Sequence, residues 1–309
     1  MSLQKHFTIM KNTLKKHFLI SACLVFILSL ALLFTACGGG EGTGEGPASP
    51  SVTDGETTSA ETTAAETDPP KADMPDPTLP EKDSYKFLFI GNSATSNNSI
   101  PNILKALARK QGINIEFKQF VNGGYTLAQH ADTKTTHGQE VFAEIANGGY
   151  DAVFLQDNGN CIENVIRRSA SIDACNRLSA AIKESGAKLY FYVRPPYEKD
   201  LFSYDSYSQC QKFDELFLEI SEKNEGSCIF VNRAFAYAIE NLEYGLWSSD
   251  NAHTNYHGAY LAACTFYATM FGDTSTVLDS YFALSPDVIA DLQAAADAVA
   301  LEGVIPWSE

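Results

Sequence analysis

The stretch Lys86-Phe87-Leu88-Phe89-Ile90-Gly91-Asn92-Ser93 joins an apolar run to a short polar turn. The run is apolar on both faces, which is typical of a strand that lies between two layers of helices. Similar short runs recur along the chain and alternate with longer amphipathic stretches. The strands are predicted at Lys86–Ile90, Ile113–Val121, Ala152–Leu155, Lys188–Val193 and Cys228–Asn232.

Helices are predicted between and after these strands. Their predicted bounds are Ile100–Lys110, Gln139–Asn147, Ile172–Ser185, Ser206–Lys223, Tyr256–Phe271 and Pro286–Ala300. Repeated strand-then-helix units imply right-handed crossovers and a parallel sheet. We therefore expect residues 85–309 to form a three-layer α/β/α sandwich with a mainly parallel five-stranded sheet. Ligands of such sheets bind at the carboxyl ends of the strands, so the residues that follow each strand are the candidates for a site.

The first 36 residues have the organisation of an export signal. Four lysines and no acidic residue accompany an uncharged apolar run, Phe18–Ala36, which ends in small residues. The segment Leu33-Phe34-Thr35-Ala36-Cys37 resembles a bacterial lipobox, which implies that Cys37 carries lipid and becomes the mature N-terminus. The alternative is a single membrane-spanning anchor, because the apolar run could just span a bilayer. Both alternatives place the protein outside the cytoplasm, held at the bacterial membrane or cell surface.

Residues 37–84 are expected to form the lipid-modified cysteine and a disordered stalk. The segment 38–84 holds seven Gly, seven Pro, many Thr and Glu, and no aromatic residue. A segment of this composition buries too little apolar surface to offset the entropy lost on ordering. We interpret it as a spacer between the membrane and the domain at residues 85–309.

Charge and cysteine content exclude several kinds of partner. The 309 residues carry a formal net charge of −16, and a surface this acidic repels nucleic acid. The five cysteines of the predicted domain form no CxxC pair and no metal-ligand spacing, so neither a disulfide framework nor a metal centre is expected. His130 and His137 flank a polar loop without carboxylate spacing, and we do not assign them to a metal.

Polar residues follow several of the predicted strands. Ser93 follows the first strand in a turn that lacks the GxGxxG pattern of a dinucleotide cradle, so no nucleotide cofactor is expected. Asn122-Gly123-Gly124 follows the second strand, and its glycines allow the backbone to approach a ligand. Gln156-Asp157-Asn158 follows the third. Near the C-terminus, Asp250 and His253 share one loop, and this spacing lets a carboxylate fix the tautomer of an imidazole.

These blocks, in this order, resemble the SGNH (GDSL-type) hydrolases, a family of esterases and lipases. Gly91-Asn92-Ser93 resembles the first block, with Asn92 in place of the usual Asp, and the resemblance implies that Ser93 is the nucleophile. Gly124 fits the second block. Asp250 and His253 fit the last block as orienting acid and general base, although Thr254 stands where Pro is commonest. No cofactor and no metal is implied.

The third block departs from the family pattern Gly-x-Asn-Asp. Aligned without gaps, Asn158 takes the place of the oxyanion Asn, and Gln156 replaces the Gly. The resemblance implies an oxyanion hole made of the backbone amides of Ser93 and Gly124 and the side chain of Asn158. Gln156 is the alternative side-chain donor, and both remain open at this point.

Substrate binding is predicted at Arg194, which follows the fourth strand, and at Trp247, which precedes the Asp250 loop. Aromatic residues at this edge, Tyr190 and Tyr192 among them, would suit stacking on sugar rings if exposed; otherwise they pack under helices and Arg194 pairs with an acid. We expect an exported serine ester hydrolase that removes acetyl or other short acyl groups from small esters or polysaccharide. A non-catalytic carbohydrate-binding lipoprotein and a transporter solute-binding lipoprotein are the alternatives.

Overall fold

Five parallel strands form one sheet in the part of the chain that the computed structural model describes, residues 75–198, 207–274, 281 and 284–308. The strands are β1 (Ser84–Gly91), β2 (Asn114–Val121), β3 (Ala152–Leu155), β4 (Lys188–Val193) and β5 (Ser227–Phe230). They lie in the order β2-β1-β3-β4-β5, and every neighbouring pair is parallel. The predicted sheet is confirmed.

Helices and short 3₁₀ turns connect these strands. The helices are α1 (Ser93–Ser96), α2 (Ile100–Lys110), α3 (Leu127–His130), α4 (Thr136–Asn147), α5 (Val165–Ser185), α6 (Ser208–Asn224), α7 (Val231–Asn241), α8 (Tyr256–Phe271) and α9 (Pro286–Ala300). Most begin at a polar residue whose side chain accepts a hydrogen bond from the first turn, as Asn164 and Asn255 do. Gly186 and Gly272 end α5 and α8 in left-handed conformation, which glycine adopts without strain.

The helices form two layers, one on each face of the sheet. Phe87 and Phe89 of β1 pack in a core with α2, α7, α8 and α9. Leu88 and Ile90 of the same strand point the other way, into a second core with α3, α4, α5 and α6. This alternation explains why the first strand is apolar on both faces. The three-layer α/β/α sandwich is confirmed, and all its described residues fall in the compact unit Thr67–Glu309.

The strand order places a crevice between β1 and β3. The chain moves from β1 outward to β2, then returns across β1 to β3 and continues to β4 and β5. The loops after β1 and β3 therefore diverge in opposite directions, and such a switch point at the carboxyl ends of the strands is the usual ligand site of open α/β sheets.

The prediction of β5 is wrong at its end. The strand stops at Phe230 rather than Asn232, because a helix begins at Val231. Val231, Ala234 and Phe235 are buried at helical spacing, and packing of this face on the other helices overrides the β-propensity of its first residue. The short helices α1 and α3 and the whole of α7 were not predicted.

The boundary of the predicted stalk is also wrong. Residues from Pro75 onward pack against the domain, and Leu79 is buried with its backbone N–H bonded to the Met270 carbonyl at 2.7 Å. The export signal, Cys37 and the rest of the stalk lie outside the described residues. Within the described residues, no helix combines the length and apolar character needed to cross a bilayer.

Candidate active site

The turn after β1 positions Ser93 at the head of α1. Gly91 ends the strand where a Cβ would lie 2.7 Å from the Gln156 side-chain oxygen, so only glycine fits. Asn92 then adopts an extended conformation, and its side-chain oxygen accepts a hydrogen bond from Ala94 N at 3.0 Å. This cap starts the helix at Ser93 and leaves the serine side chain partly exposed at the carboxyl end of the sheet.

A closed loop carries Asp250 and His253. Trp247 and Thr254 form an antiparallel bridge across its base, and Ser248 N donates to the His253 carbonyl at 2.8 Å. Asp250 Oδ1 accepts from the backbone N–H of His253 at 3.0 Å, while Oδ2 lies 2.6 Å from His253 Nδ1. The loop backbone therefore fixes the carboxylate, and the carboxylate fixes the imidazole.

Asp250 remains ionised at neutral pH. The pKa of this carboxyl is held well below its usual value by hydrogen bonds. The largest effect comes from the backbone N–H of His253, followed by the His253 side chain and by Ala252 N. An ionised carboxylate only accepts hydrogen bonds, so His253 Nδ1 carries the proton and Nε2 presents a lone pair. Nε2 lies 2.9 Å from Ser93 Oγ. The serine hydroxyl, imidazole and carboxylate thus form one chain of hydrogen bonds.

Two asparagines join the Ser93 segment to the His253 loop. Asn97 Nδ2 and Asn98 Nδ2 both donate to the Thr254 carbonyl oxygen, at 3.0 and 2.6 Å. Asn98 adopts a left-handed conformation, with φ of 51°, which places its amide toward that oxygen. These contacts bridge segments about 160 positions apart in the chain. Neither asparagine was singled out from the sequence, and no motif spacing indicates them.

Three hydrogen-bond donors come from the loops that follow β1, β2 and β3. No partner among the described residues engages the backbone N–H of Ser93 or of Gly124. Asn158 Nδ2 donates one hydrogen to the Gly124 carbonyl at 2.8 Å and retains a second, while its Oδ1 accepts from Asn160 N at 3.1 Å. The loops after β1, β2 and β3 each supply one donor, which is the composition expected of an oxyanion hole.

Gln156 does not supply such a donor, and this alternative is contradicted. Its side chain is buried, and its oxygen accepts from Asn92 N at 2.9 Å and from Thr95 Oγ1 at 3.0 Å. Its nitrogen donates to the Asp157 carbonyl. All of these contacts are internal, so Gln156 supports the Ser93 turn from below.

Asn92 and Asp157 tie the loops of the site together. Asn92 Nδ2 donates to the Tyr125 carbonyl at 2.8 Å, a contact that an aspartate could not make. The buried Asp157 accepts from Leu127 N at 2.8 Å and from Asn158 N at 2.7 Å. Desolvation raises the pKa of this carboxyl. These bonds fix the loops that carry Ser93, Gly124 and Asn158 relative to one another.

Trp247 does not present a face for sugar stacking, and this prediction is corrected. The ring is 8% exposed, packs edge-on against Phe235, and donates from Nε1 to the Pro196 carbonyl at 3.2 Å. Tyr190 and Tyr192 are likewise buried under the helices. The burial of these rings supports the sheet edge from inside, so stacking on them cannot define the substrate.

Arg194 lies beside the site without a carboxylate partner among the described residues. The side chain is 6% exposed, and its Nε donates to the Pro195 carbonyl at 2.9 Å. Nη2 lies 3.5 Å from the Ala252 carbonyl, one residue before His253. Among the described residues, the expected structural ion pair of Arg194 is not found, and segment 199–206, which holds Asp200 and Asp205, lies outside them.

His130 and His137 form a hydrogen-bonded pair behind the Ser93 turn. His130 Nε2 donates to the Gly91 carbonyl at 2.8 Å, and His137 Nε2 lies 2.8 Å from His130 Nδ1. Burial lowers the pKa of His130 to about 4, so its ring is neutral at neutral pH. Within the described residues, no cluster of three or more potential metal ligands occurs.

The site joins a carboxylate, an imidazole and a serine hydroxyl by hydrogen bonds and also holds backbone and amide donors. This is the type of site found in serine hydrolases. Comparison with solved structures agrees with this class at the level of the fold. A protein from Slackia heliotrinireducens that is proposed to be an SGNH hydrolase shares 25% sequence identity with this chain. The two structures align with a TM-score of 0.52, over 60% of this chain and 98% of that chain. A DUF4886 family protein from Bacteroides uniformis is 18% identical, with a TM-score of 0.59 over 71% and 96%.

The sequence itself matches no family model and no curated protein. The fold is nevertheless that of SGNH hydrolase structures, because the chain forms the same type of parallel five-stranded sheet with flanking helices.

Proposed function

We propose that this protein is a serine ester hydrolase in which Ser93 is the nucleophile, His253 the general base and Asp250 the residue that orients it. The observation that carries the proposal is the 2.9 Å contact between Ser93 Oγ and His253 Nε2, made by residues at opposite ends of the folded chain. A hydroxyl within proton-transfer distance of an imidazole, itself held by a carboxylate, is the arrangement that activates serine for acyl transfer.

The geometry accounts for each step of ester cleavage. His253 Nε2 accepts the Ser93 proton as Oγ bonds to the ester carbonyl carbon, and Asp250 stabilises the imidazolium. The carbonyl oxygen becomes an oxyanion that accepts from Ser93 N, Gly124 N and Asn158 Nδ2. The carbon–oxygen bond to the alcohol then breaks as His253 returns the proton to the leaving alcohol. Water, activated by the same imidazole, releases the acid and restores Ser93.

The substrate proposal rests on where the enzyme would act. An export signal and lipid anchor at Cys37 would hold the domain outside the cytoplasm, where it would meet polymers such as acylated polysaccharide. We infer that the enzyme removes acetyl or other short acyl groups from carbohydrate. The rival proposal, a carbohydrate-binding lipoprotein without activity, is supported by the altered third block but not by the intact hydrogen-bond chain at Ser93.

Labelling with a fluorophosphonate probe tests whether Ser93 is activated. We expect the wild-type protein to form a covalent phosphonyl adduct at Ser93, because the probe reacts with serines that an adjacent base deprotonates. The Ser93→Ala variant should remain unlabelled while retaining its circular dichroism spectrum. A folded wild-type protein that resists labelling would favour the non-catalytic binding protein.

Two histidine variants test the identity of the base. His253→Ala should lower kcat on 4-nitrophenyl acetate by at least about 10³-fold, because it removes the ring nitrogen that contacts Ser93 Oγ and accepts its proton. His257 is the matched control, since its Nδ1 contacts the Gly245 carbonyl at 2.9 Å, whereas Ser93 Oγ is contacted by His253. His257→Ala should retain kcat within about twofold. The reverse pattern would contradict the assignment of the base.

A further inference from the structure

Arg194 is buried beside the candidate active site, and no carboxylate among the described residues pairs with its guanidinium. Arg194 is 6% exposed, and among the described residues its hydrogen bonds run only to backbone carbonyls, of Pro195 and Ala252. The guanidinium also stacks over the Tyr197 ring, with its carbon 4.8 Å from the ring centroid. Of its five N–H groups, two have partners, and one of those contacts is long at 3.5 Å.

Arg194 lines a cavity of about 170 Å³. The other described residues of its wall are Gly159, Glu163, Pro196, Tyr197, Gln209 and Phe213. A Cβ on Gly159 would meet Arg194 Nη1 at 2.5 Å, so the absence of a side chain at this position lets the guanidinium reach the cavity. The volume suffices for a small polar group and a few water molecules.

The cavity borders both halves of the catalytic machinery. Gly159 directly follows Asn158, the proposed oxyanion donor, and Arg194 Nη2 contacts the carbonyl of Ala252, which precedes His253. The cavity therefore adjoins residues next to the proposed oxyanion donor and next to the proposed base, a position suited to a substrate subsite.

The positive charge of Arg194 determines which kind of ligand group can bind in the cavity. A buried cation without a counter-ion is unfavourable, and an anion that enters the cavity relieves that penalty. Glu163, the acidic residue of the wall, is exposed and already pairs with Arg167 at 2.6 Å. A planar guanidinium matches a carboxylate bidentately. A single positive charge within a strongly acidic protein favours a singly charged carboxylate over a more highly charged phosphate.

We propose that the cavity at Arg194 is a specificity subsite that binds a carboxylate carried by the ester substrate. This inference rests on the proposed ester hydrolase function and narrows its substrate to acidic esters, on either the acyl or the alcohol half. Arg194 then distinguishes an acidic sugar or a dicarboxylic half-ester from a neutral ester of the same size.

Paired substrates measure this preference directly. On the acyl side, mono-4-nitrophenyl glutarate is compared with 4-nitrophenyl butyrate. On the alcohol side, O-acetyl glucuronate is compared with O-acetyl glucose. We expect kcat/KM of the wild-type enzyme to be higher for the acidic member of one pair, mainly through a lower KM. The pair that shows the preference identifies the half of the substrate that carries the carboxylate.

Arg194→Gln tests whether this residue is the cause, since it removes the charge but retains an amide donor. The ratio of kcat/KM for the acidic to the neutral substrate should fall about 10- to 100-fold, the value of a charge-assisted hydrogen bond. Arg168→Gln is the control, because Arg168 pairs with Glu219 on the surface at 2.7 Å. Equal losses on both members of each pair, or a wild-type enzyme without preference, would overturn the subsite.

A binding measurement separates this inference from the proposed activity. Calorimetric titration of Ser93→Ala with glutarate and with glucuronate, against glucose as a neutral reference, requires no turnover. One outcome is a wild-type protein that hydrolyses no ester, while Ser93→Ala binds one of the acids and Ser93→Ala/Arg194→Gln does not bind it. This outcome would refute the hydrolase function but support the carboxylate site. An active enzyme that binds neither acid would refute only the site.

Discussion

At the scale of single residues, the Thr254 carbonyl oxygen is the point where the two halves of the site meet. It accepts hydrogen bonds from Asn97, Asn98 and Ser248, so its lone pairs are fully used. Asn98 reaches it from a left-handed conformation, which asparagine tolerates better than most residues. The distance between Ser93 and His253 therefore depends on two amides that take no part in the chemistry.

Removing these amides should loosen the hydrogen bond between Ser93 and His253. We expect Asn97→Ala/Asn98→Gly to lower kcat on 4-nitrophenyl acetate by about tenfold, because misplacement by a fraction of an ångström already reduces catalysis. Glycine at position 98 keeps the left-handed backbone without strain, which limits the effect on folding. Asn147→Ala, which removes an exposed amide at the end of α4, should leave kcat unchanged. An unchanged kcat in the double variant would show that the loops hold their places without this contact.

At the scale of elements, α3 joins the strand ends. Its first backbone N–H, from Leu127, donates to Asp157 after β3, and its last residue, His130, donates to the Gly91 carbonyl of β1. Gln156 accepts from the N–H of Asn92 on the other side of the same peptide bond. The peptide before the Ser93 turn is thus held at both its polar atoms, which fixes the direction in which β1 ends.

How far the sequence predicts these elements depends on what stabilises each one. β3, β4 and the helix α8 match their predicted bounds, because burial on both faces or around a whole helix leaves an unbroken apolar pattern. The helix α3 is held by contacts with distant strand ends, which leave no periodic trace in four residues. The aspartate and histidine were indicated by their spacing, and the serine by the order of blocks that resembles the SGNH hydrolases, whereas the partners at backbone carbonyls have no side-chain signature.

The buried His130 should make stability fall in acid. The unfolded chain binds the His130 proton near pH 6.5 and the folded chain only near pH 4, because burial lowers the pKa. The unfolded state therefore binds more protons throughout this window, and the stability that the neutral ring provides is lost as the pH falls from 6.5 toward 4. Linkage sets an upper limit of about 3 kcal/mol on this loss.

Urea unfolding of the wild type and His130→Gln at pH 7, 6, 5 and 4 measures this contribution. The advantage of the wild type over the variant should shrink steadily across the series, since glutamine does not titrate. His257→Ala provides the comparison, because the His257 ring is only partly buried and should give a nearly constant difference. A constant difference for His130→Gln as well would mean that the folded state accommodates the charged ring.

At the scale of the whole molecule, the segment 75–79 packs against the amino-terminal end of β4, at the edge of the sheet opposite the candidate site. Lys188, the first residue of β4, donates to the carbonyls of Asp76 and Thr78, and the Tyr190 hydroxyl donates to the Pro77 carbonyl. Ser93 follows the carboxyl end of β1, so the parallel sheet separates the two. Pro75, the first described residue, therefore lies at the edge of the sheet away from Ser93.

Two truncations test whether the segment 75–79 belongs to the fold or to the stalk. A chain that starts at Pro75 should keep both its unfolding free energy and its kcat, because every contact of the segment is retained. A chain that starts at Pro80 should lose about 2–4 kcal/mol, through the loss of the buried Leu79 side chain and of the partners of Lys188 and Tyr190.

In the shorter chain, kcat on 4-nitrophenyl acetate should stay within about twofold under conditions where the domain remains folded, since the segment lies at the amino ends of the strands and the site at their carboxyl ends. Thermal unfolding and turnover measured on the same samples separate the two effects. A loss of kcat in proportion to the loss of stability would show that the two edges of the sheet are coupled. Unchanged stability would instead return residues 75–79 to the stalk.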